Sequence, residues 1–344
     1  MNGMLFAAFT SREKGAADRP HGLRGWPATL VVGIAVILCA EALLGLDVAL
    51  RGGAVAPYET LGMPRNWLQS VSRWIAVNMT PLCWVGFLLF ADGMLTMLAG
   101  NGSSARRSSG SPFRQRTRRA VACFLASVPI WLYFDWVNFS YIDAWRYHGL
   151  PENDLQRYLG YFIAFGAIFP GMFLTAELYL QLGLQRCRTR GLSLGRAVQV
   201  TMFCFGCAFV GFPFIARDPV ANLTLWLGPI LFLDPVNHWI GAPSIISDLK
   251  AGRWGRTLAL MGGGLTCGLL WEFWNYWAAA KWTYNLPFLG VLEQYRYFEM
   301  PWIGLLGFLP FGIACWVAFQ SMVIIIERLL VLPLGPNPAE DVIL

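Results

Sequence analysis

Eight long apolar stretches, each separated from the next by a more polar segment, dominate the sequence. A helix needs about 20 apolar residues to cross the hydrocarbon core of a bilayer. The pattern therefore predicts an all-α integral membrane protein with about eight transmembrane helices. The sixth stretch is the shortest, although it can be extended through Trp239. The predicted spans cover residues 27–50, 75–98, 120–140, 158–184, 197–216, 220–233, 257–280 and 301–326.

The composition supports this membrane architecture. Of the 344 residues, 56% are hydrophobic and 13% are charged, whereas a soluble domain carries about 25% charged residues. So few charges cannot cover the surface of a water-soluble globule, which excludes a soluble enzyme, a disordered protein and a nucleic-acid reader. The expected partners are therefore membrane lipid and an apolar small-molecule substrate, and not nucleic acid.

Two motifs occur twice in the same order and indicate an internal duplication. Residues 84–92 and 226–234 share the pattern W-x-G-x-x-L-F-x-D. Residues 135–147 and 272–284 share an acid-x-x-Asn motif, and in both cases a Trp-x-Tyr motif begins seven residues after the Asn. The shared spacing predicts that the chain contains two related halves.

These halves correspond to two four-helix repeats, residues 27–185 and 186–326. Equivalent spans are four apart in the chain, so they cross the membrane in the same direction. The repeats should therefore be parallel and related by a pseudo-twofold axis along the membrane normal, as in transporters with parallel repeats.

The distribution of basic residues predicts the orientation of the chain. With an internal N-terminus and eight spans, 18 of the 26 Lys and Arg residues fall in internal segments and 8 in external ones. Because basic residues are enriched on the cytoplasmic side, both termini should be cytoplasmic, as in a multi-pass protein of the bacterial inner membrane. The internal segments include a basic N-terminus (1–26), a flexible basic linker (100–119) and a tail (327–344).

Each repeat carries an acid and an Asn on one face of a predicted helix. Asp135 and Asn138 lie in the third span, and Glu272 and Asn275 lie in the seventh. A spacing of three residues places both side chains on one helical face, and intramembrane acids usually face a cavity or the bundle interior. We predict that Asp135 and Glu272 are catalytic general acids and that the two Asn residues bind substrate. The alternative is a buried polar network that only ties helices together.

Aromatic residues follow both of these helices. Trp145 and Tyr147 lie just beyond the third span, Trp282 and Tyr284 lie just beyond the seventh, and Trp271 precedes the acid of the second repeat. We predict that these five residues bind substrate, with the Trp-x-Tyr pairs acting as a lid over an apolar pocket. The alternative is an aromatic belt at the outer membrane interface.

Other polar residues give weaker predictions. Asp92 and Asp234 end the duplicated W-x-G motif, where they either serve the function or cap a turn. The three histidines, His21, His148 and His238, are far apart in sequence, so no pair has metal-ligand spacing on one helix. The sequence also lacks nucleotide-binding loops, serine-hydrolase elbows and zinc-protease motifs. We therefore predict no metal and no cofactor.

The last third of the chain resembles an uncharacterised family of bacterial polytopic membrane proteins. The residues that carry this resemblance are L-W-E-F-W-N-Y-W at 270–277, K-W-T-Y at 281–284 and F-E-M-P at 298–301. It implies no particular activity. The chain is also faintly similar to the membrane lycopene-cyclase domain, a tandem of small helical repeats with a helix acid and a downstream Trp-x-aromatic motif. Here E-M-P at 299–301 replaces the Pro-x-Glu-Glu of that domain, and each half has four spans.

Three functions fit the sequence. The first is a membrane enzyme that acts on a prenyl or other apolar lipid, with Glu272 or Asp135 as the general acid and aromatic faces stabilising a developing cation. The second is a transporter or channel that binds a cation, proton or polar solute between the halves. The third is a non-catalytic assembly or scaffold protein in which both acids are structural.

Overall fold

The computed structural model describes residues 26–100, 111–329, 331, 333–334 and 342–344. Nearly all of the basic N-terminus, the centre of the predicted linker and most of the predicted tail lie outside these ranges. Within them the chain forms eleven α-helices: α1 Ala28–Leu50, α2 Trp67–Val77, α3 Met79–Gly100, α4 Pro112–Gln115, α5 Thr117–Val137, α6 Asp154–Gln181, α7 Arg196–Ala216, α8 Asn222–Trp239, α9 Ile245–Lys250, α10 Gly255–Trp277 and α11 Phe308–Ile324.

Seven of the described helices are long and apolar enough to cross a membrane, some of them together with an adjoining helical turn: α1, α3, α5, α6, α7, α8 and α11. The protein is therefore a predominantly helical, multi-pass membrane protein. The seventh predicted span corresponds to α10, which has the same 23-residue length as α1. It is not among the seven helices above, and its last two turns carry Glu272 and Asn275.

Several predicted boundaries differ from the observed ones. The second predicted span is divided at Asn78 into a short helix, α2, and the membrane helix α3. The sixth continues through Trp239, as its possible extension suggested. The eighth begins late, because Met300 and Pro301 form a strand and Trp302–Gly307 forms a 3₁₀-helix before α11 starts.

Close helix packing follows the same pattern in both halves. α1 packs against α3, and α7 packs against α8. A Cβ added at Gly33 would lie 2.4 Å from the backbone nitrogen of Phe90, and one added at Gly206 would lie 2.4 Å from that of Phe232. Phe90 and Phe232 hold the same position in the duplicated W-x-G motif. Only glycine permits so close an approach of the backbones.

Two short strands connect the halves at one end of the bundle. β1 (Trp145–His148) and β2 (Lys281–Tyr284) pair antiparallel, with Trp145 opposite Tyr284 and Tyr147 opposite Trp282. A second antiparallel pair joins β3 (Arg296–Tyr297) to β4 (Met300–Pro301). The sequence predicted helices alone, because strands of four residues or fewer show too little alternation to be recognised.

Asp92 and Asp234 cap short helices at the opposite end of the bundle. The Asp92 carboxylate accepts a hydrogen bond from the backbone N–H of Phe113 in α4, at 3.1 Å. The Asp234 carboxylate accepts one from the backbone N–H of Ile245 in α9, at 2.7 Å. A carboxylate satisfies the free N–H groups at the start of a helix, so capping accounts for both residues.

Part of the predicted linker is helical, and the last three residues of the predicted tail are buried. Residues 111–119 belong to α4, its N-cap and the first turn of α5, whereas we predicted a flexible segment through residue 119. Residues 342–344 are buried, and the backbone N–H groups of Ile343 and Leu344 donate to Glu177 Oε1 at 3.0 and 2.8 Å. Arg116 Nη1 lies 2.7 Å from the same oxygen. Glu177 therefore connects α6 to α5 and to residues 343–344.

Candidate functional site

The two predicted Asn residues hold the turns that lead into β1 and β2. Asn138 Oδ1 accepts hydrogen bonds from the backbone N–H groups of Ala144 and Trp145, at 2.8 and 3.1 Å, and its Nδ2 donates to the Trp145 carbonyl at 2.7 Å. Asn275 Oδ1 accepts from the N–H of Trp282 at 2.8 Å, and its Nδ2 donates to the Trp282 carbonyl at 2.9 Å. Both side chains are fully buried. An amide both donates and accepts, which explains why Asn stands at these positions.

In the first half, the acid holds both residues of the Trp-x-Tyr motif. Asp135 Oδ1 accepts a hydrogen bond from Trp145 Nε1 at 3.0 Å and another from the Tyr147 hydroxyl at 3.0 Å. Asp135 lies one helical turn before Asn138. The Asn138 amide therefore holds the backbone at the start of β1, and the Asp135 carboxylate holds the side chains of Trp145 and Tyr147.

In the second half, a longer acid makes a related but not identical network. Glu272 Oε1 accepts from the Tyr284 hydroxyl at 2.6 Å, and Trp282 Nε1 donates to that same hydroxyl at 2.8 Å. Glu272 Oε2 is buried and has no hydrogen-bond partner among the described residues. A buried polar atom without a partner is costly, so this oxygen distinguishes Glu272 from Asp135.

Both tyrosines remain neutral donors in these networks. Burial of the hydroxyl, with the nearby Asp135 carboxylate, raises the pKa of Tyr147 well above its ordinary value. Burial and the Glu272 carboxylate raise the pKa of Tyr284 in the same direction. Each phenol therefore keeps its proton at neutral pH and can donate it to a hydrogen-bond acceptor.

A cavity of about 160 Å³ lies beside these networks, at the end of the bundle that carries β1 and β2. The first turns of α3, α6, α8 and α11, the later turns of α5 and α10 and both strands surround it. Most of the lining is apolar, and it includes five tryptophans: Trp131, Trp145, Trp226, Trp271 and Trp282. A dry cavity of about 150 Å³ can hold a benzene ring, so this one can accept the end of an apolar molecule.

Trp131 lies at the centre of the aromatic lining. Its ring centroid is 5.2 Å from that of Trp271, 6.0 Å from that of Phe311 and 6.4 Å from that of Trp226. Its Nε1 donates to the Tyr147 hydroxyl at 3.3 Å. Rings arranged around a space in this way offer several negative π faces to a bound group, which favours apolar or cationic groups.

The structure divides the predicted site residues into two layers. Trp145, Tyr147, Trp271, Trp282 and Tyr284 all line the cavity. The four polar residues lie behind them, with the carboxylates one hydrogen bond away from the tyrosine hydroxyls: Asp135, Asn138, Glu272 and Asn275. The acids therefore position the lining and reach the cavity through Tyr147 and Tyr284.

Six aromatic residues of the lining were not predicted from the sequence: Trp131, Tyr161, Phe165, Trp226, Phe308 and Phe311. Trp226 belongs to the duplicated W-x-G motif, and that duplication was a signal that could have included it in the site. Phe308 and Phe311 carried no such signal, because they lie within a predicted apolar span and belong to neither duplicated motif. Phe308 fills the space beside Gly268, where an added Cβ would lie 2.3 Å from its ring. Trp131 lies four residues before Asp135, and Gly268 lies four residues before Glu272, so the large side chain of the first motif has no counterpart in the second.

Polar groups also border the cavity. The lining includes Thr80 and Asn222 at the starts of α3 and α8, Arg157 in α6 and Lys281 in β2. Lys281 is buried; its Nζ lies 2.5 Å from Glu299 Oε1 and donates to the carbonyl of Tyr276 at 2.9 Å. The apolar cavity is therefore bordered by several polar side chains.

Comparisons with known proteins give no further guide to this site: the chain matches no protein-family model, no curated protein and no solved structure. Within the described part of the chain, no group of three or more His, Cys, Asp or Glu residues could hold a metal ion. The features of the molecule that indicate a function are therefore the cavity and the two hydrogen-bond networks.

Proposed function

We propose that the protein has eight spans, in two parallel four-helix repeats related by a pseudo-twofold axis. Support comes from the register of β1 and β2, which pairs Trp145 with Tyr284 and Tyr147 with Trp282. A twofold rotation that exchanges the halves converts one of these pairs into the other, as in an isologous interface. The helices α5 and α10 also end at the same end of the bundle, which fits parallel repeats and not inverted ones.

The topology gives a direct test. In a chain whose eight native cysteines are replaced by alanine, we expect Asn153→Cys to react with a membrane-impermeant maleimide in intact bacterial cells. Ser193→Cys should react only after lysis, because α6 crosses the membrane once between these exposed positions. Labelling of both sites in intact cells, or of Ser193→Cys alone, would contradict cytoplasmic termini in the inner membrane.

The function that the site supports best is binding and conversion of an apolar lipid, of prenyl or similar type. The observation that carries this proposal is the aromatic cavity, with two tyrosine hydroxyls in its lining and a carboxyl group behind each. An apolar cavity of this kind gains free energy by removing hydrocarbon surface from water or from the headgroup region. We expect polar solutes to bind this cavity less tightly than an apolar lipid does.

The chemistry that we propose is proton donation to the bound lipid. In the relay the Tyr284 hydroxyl turns from Glu272 toward the cavity and passes its proton to an alkene or oxygen of the substrate, while a protonated Glu272 donates its own proton to the Tyr284 oxygen. The cation that forms lies among the faces of Trp131, Trp226 and Trp271, which stabilise positive charge. Glu272 has the unpartnered oxygen and is fully buried, so it is favoured over Asp135 as the acid.

A non-catalytic lipid-binding role is the second candidate. Glu272 is fully buried behind the lining, so it could serve only to orient Tyr284 and Trp282. A transporter is favoured less, because the opposite half of the bundle is tightly packed around Ala91, Phe173 and Phe319, each fully buried.

Mass spectrometry of co-purifying lipids tests these proposals together. We expect wild type to retain an apolar lipid that Trp271→Ala loses, because the Ala variant lacks one wall of the cavity. Glu272→Gln keeps the shape and the acceptor for Tyr284, so it should retain lipid but in the unconverted form. The exposed Glu152→Gln is the matched control and should resemble wild type. The same lipids in wild type and Trp271→Ala would contradict lipid binding in the cavity, and the same lipids in wild type and Glu272→Gln would contradict catalysis.

A further inference from the structure

The cavity is too small to enclose a whole lipid. Its volume of about 160 Å³ is close to that of a dry cavity that holds one benzene ring, a molecule of six non-hydrogen atoms. A single five-carbon prenyl unit is of that size, whereas membrane lipids are several times longer. If the end of a lipid lies among the tryptophans of the lining, the rest of its chain must leave the cavity through a gap in the wall.

The wall has such a gap at the first turns of α3 and α6. Gly160 of α6 belongs to the lining and is half-buried. A Cβ added at Gly160 would have no described atom within 4 Å. The lining contains two other glycines, Gly304 and Gly307, and at both an added Cβ would meet a neighbouring side chain. Gly160 is therefore the lining glycine that stands beside open space.

The packing of α6 against α3 shows where this gap comes from. Gly171 lies eleven residues after Gly160, so three helical turns bring both onto one face of α6. At Gly171 that face packs tightly against α3, since an added Cβ would lie 2.8 Å from the ring of Trp84. At Gly160 the same face meets no described atom, although Thr80 and Pro81 of α3 also line the cavity. The two helices therefore separate toward the end of the bundle that carries β1 and β2.

The gap opens toward lipid. Leu159, next to Gly160 on α6, is 53% exposed, and Val85, one turn after Pro81 on α3, is 38% exposed. Both helices are long and apolar enough to cross a membrane, and exposed Leu and Val side chains on such helices are favourable in hydrocarbon. A chain that passes between α3 and α6 therefore enters the bilayer and not water.

We propose that the gap at Gly160 is the passage by which the hydrocarbon chain of a bound lipid leaves the cavity and enters the bilayer, so that the missing side chain allows the protein to accept long chains. This inference rests on the proposed function and specifies its substrate class as lipids bound by one end. No described backbone atom requires glycine at position 160, unlike position 33, and glycine inside a helix is less stable than alanine. Open space is therefore what glycine provides there.

The test uses the full-length protein in lipid nanodiscs and equilibrium dialysis with two tritiated probes, with empty nanodiscs as the partition control. Prenol (3-methylbut-2-en-1-ol) has six non-hydrogen atoms and fits inside the cavity, whereas geraniol has eleven and extends into the passage. We expect Gly160→Leu to weaken geraniol binding about five- to 150-fold, which is the usual effect of overpacking a filled space, and to leave prenol within about twofold of wild type.

Two further variants are controls. Gly160→Ala adds one methyl group that meets no described atom, so it should leave prenol unchanged and weaken geraniol less than Gly160→Leu does. Gly45→Leu is the matched control, because Gly45 is exposed on α1, lies outside the lining and also has no described atom within 4 Å of an added Cβ. It should bind both probes like wild type.

A second measurement detects the chain in the passage without a bulky side chain. In a chain whose eight native cysteines are replaced by alanine, bound geraniol should protect Gly160→Cys from N-ethylmaleimide, whereas bound prenol should not. Gly45→Cys should react at the same rate with and without either probe. This measurement decides the question even if Gly160→Leu fails to fold.

The possible results separate this inference from the function on which it rests. Unchanged geraniol binding in Gly160→Leu, or no protection of Gly160→Cys by geraniol, would overturn the passage but leave the lipid-binding cavity intact. Loss of prenol together with geraniol, or protection by both probes, would place residue 160 inside the cavity and would also overturn it. Binding of neither probe to wild type would remove support from both proposals.

Discussion

Replacing Asn138 with leucine is expected to destabilise the protein by at least about 3 kcal/mol, the combined effect of leaving several buried backbone groups without partners at about 1–3 kcal/mol each. The backbone N–H groups of Ala144 and Trp145 and the carbonyl of Trp145 all depend on this side chain. Asn275→Leu should cost about 2 kcal/mol or more, because Asn275 holds only the N–H and carbonyl of Trp282. Unfolding by SDS titration from mixed micelles measures both free energies.

The control for these variants is Asn153→Leu. Asn153 is exposed, and its side chain caps the start of α6 by accepting from the N–H of Gln156. Loss of an exposed cap costs about 1 kcal/mol, clearly less than the buried variants. If Asn138→Leu were no less stable than Asn153→Leu, the turn into β1 would not depend on Asn138, and the structural role assigned to the motif would be wrong.

Replacing Trp131 with alanine is expected to weaken binding of apolar ligands about 30- to 150-fold, which corresponds to a loss of about 2–3 kcal/mol for one large apolar side chain. Trp131 has the largest role because its ring contacts Trp271, Trp226 and Phe311 around the cavity. Equilibrium dialysis of tritiated geraniol against the full-length protein in lipid nanodiscs, with empty nanodiscs as the partition control, measures the change. Trp131→Phe keeps an aromatic face but loses the hydrogen bond to Tyr147, so its affinity should lie between those of wild type and Trp131→Ala.

Trp136→Ala provides a matched control on the same helix. Trp136 is half exposed on the outer surface of α5, and its ring packs against Tyr141 and Phe214, away from the cavity. Its loss should leave geraniol binding unchanged. Equal weakening by Trp131→Ala and Trp136→Ala would show that the effect comes from general destabilisation and not from the lining of the cavity.

The membrane architecture could be predicted from the sequence because hydrophobic length is a local property. A run of about 20 apolar residues specifies a membrane helix wherever it stands, and seven such helices are present among the described residues. The acid-x-x-Asn and Trp-x-Tyr motifs were found in the same way, from spacing alone. Spacing also selected four aromatic residues of the predicted site, and all four lie in the lining: Trp145, Tyr147, Trp282 and Tyr284.

The order of the layers around the cavity was decided only by tertiary structure. The spacing of Asp135 and Asn138 gives a shared helical face, but it does not say whether another side chain covers that face. The pairing of β1 with β2 joins residues that are far apart in sequence, such as Tyr147 and Trp282. That pairing depends on contacts between distant segments, which no local pattern encodes. It places the tyrosines between the carboxylates and the cavity.

The sequence by itself determined the membrane helices, the duplicated motifs and the residue types available for chemistry. Tertiary structure alone brought Thr80, Trp226 and Phe311 into one cavity and placed Asp135 and Glu272 behind its lining. The physical reason is that helix formation follows from local hydrophobicity and backbone hydrogen bonding, whereas a cavity arises where several helices fail to fill the space between them. That space depends on side chains from α3, α5, α6, α8, α10 and α11 together, and therefore on how the whole bundle packs.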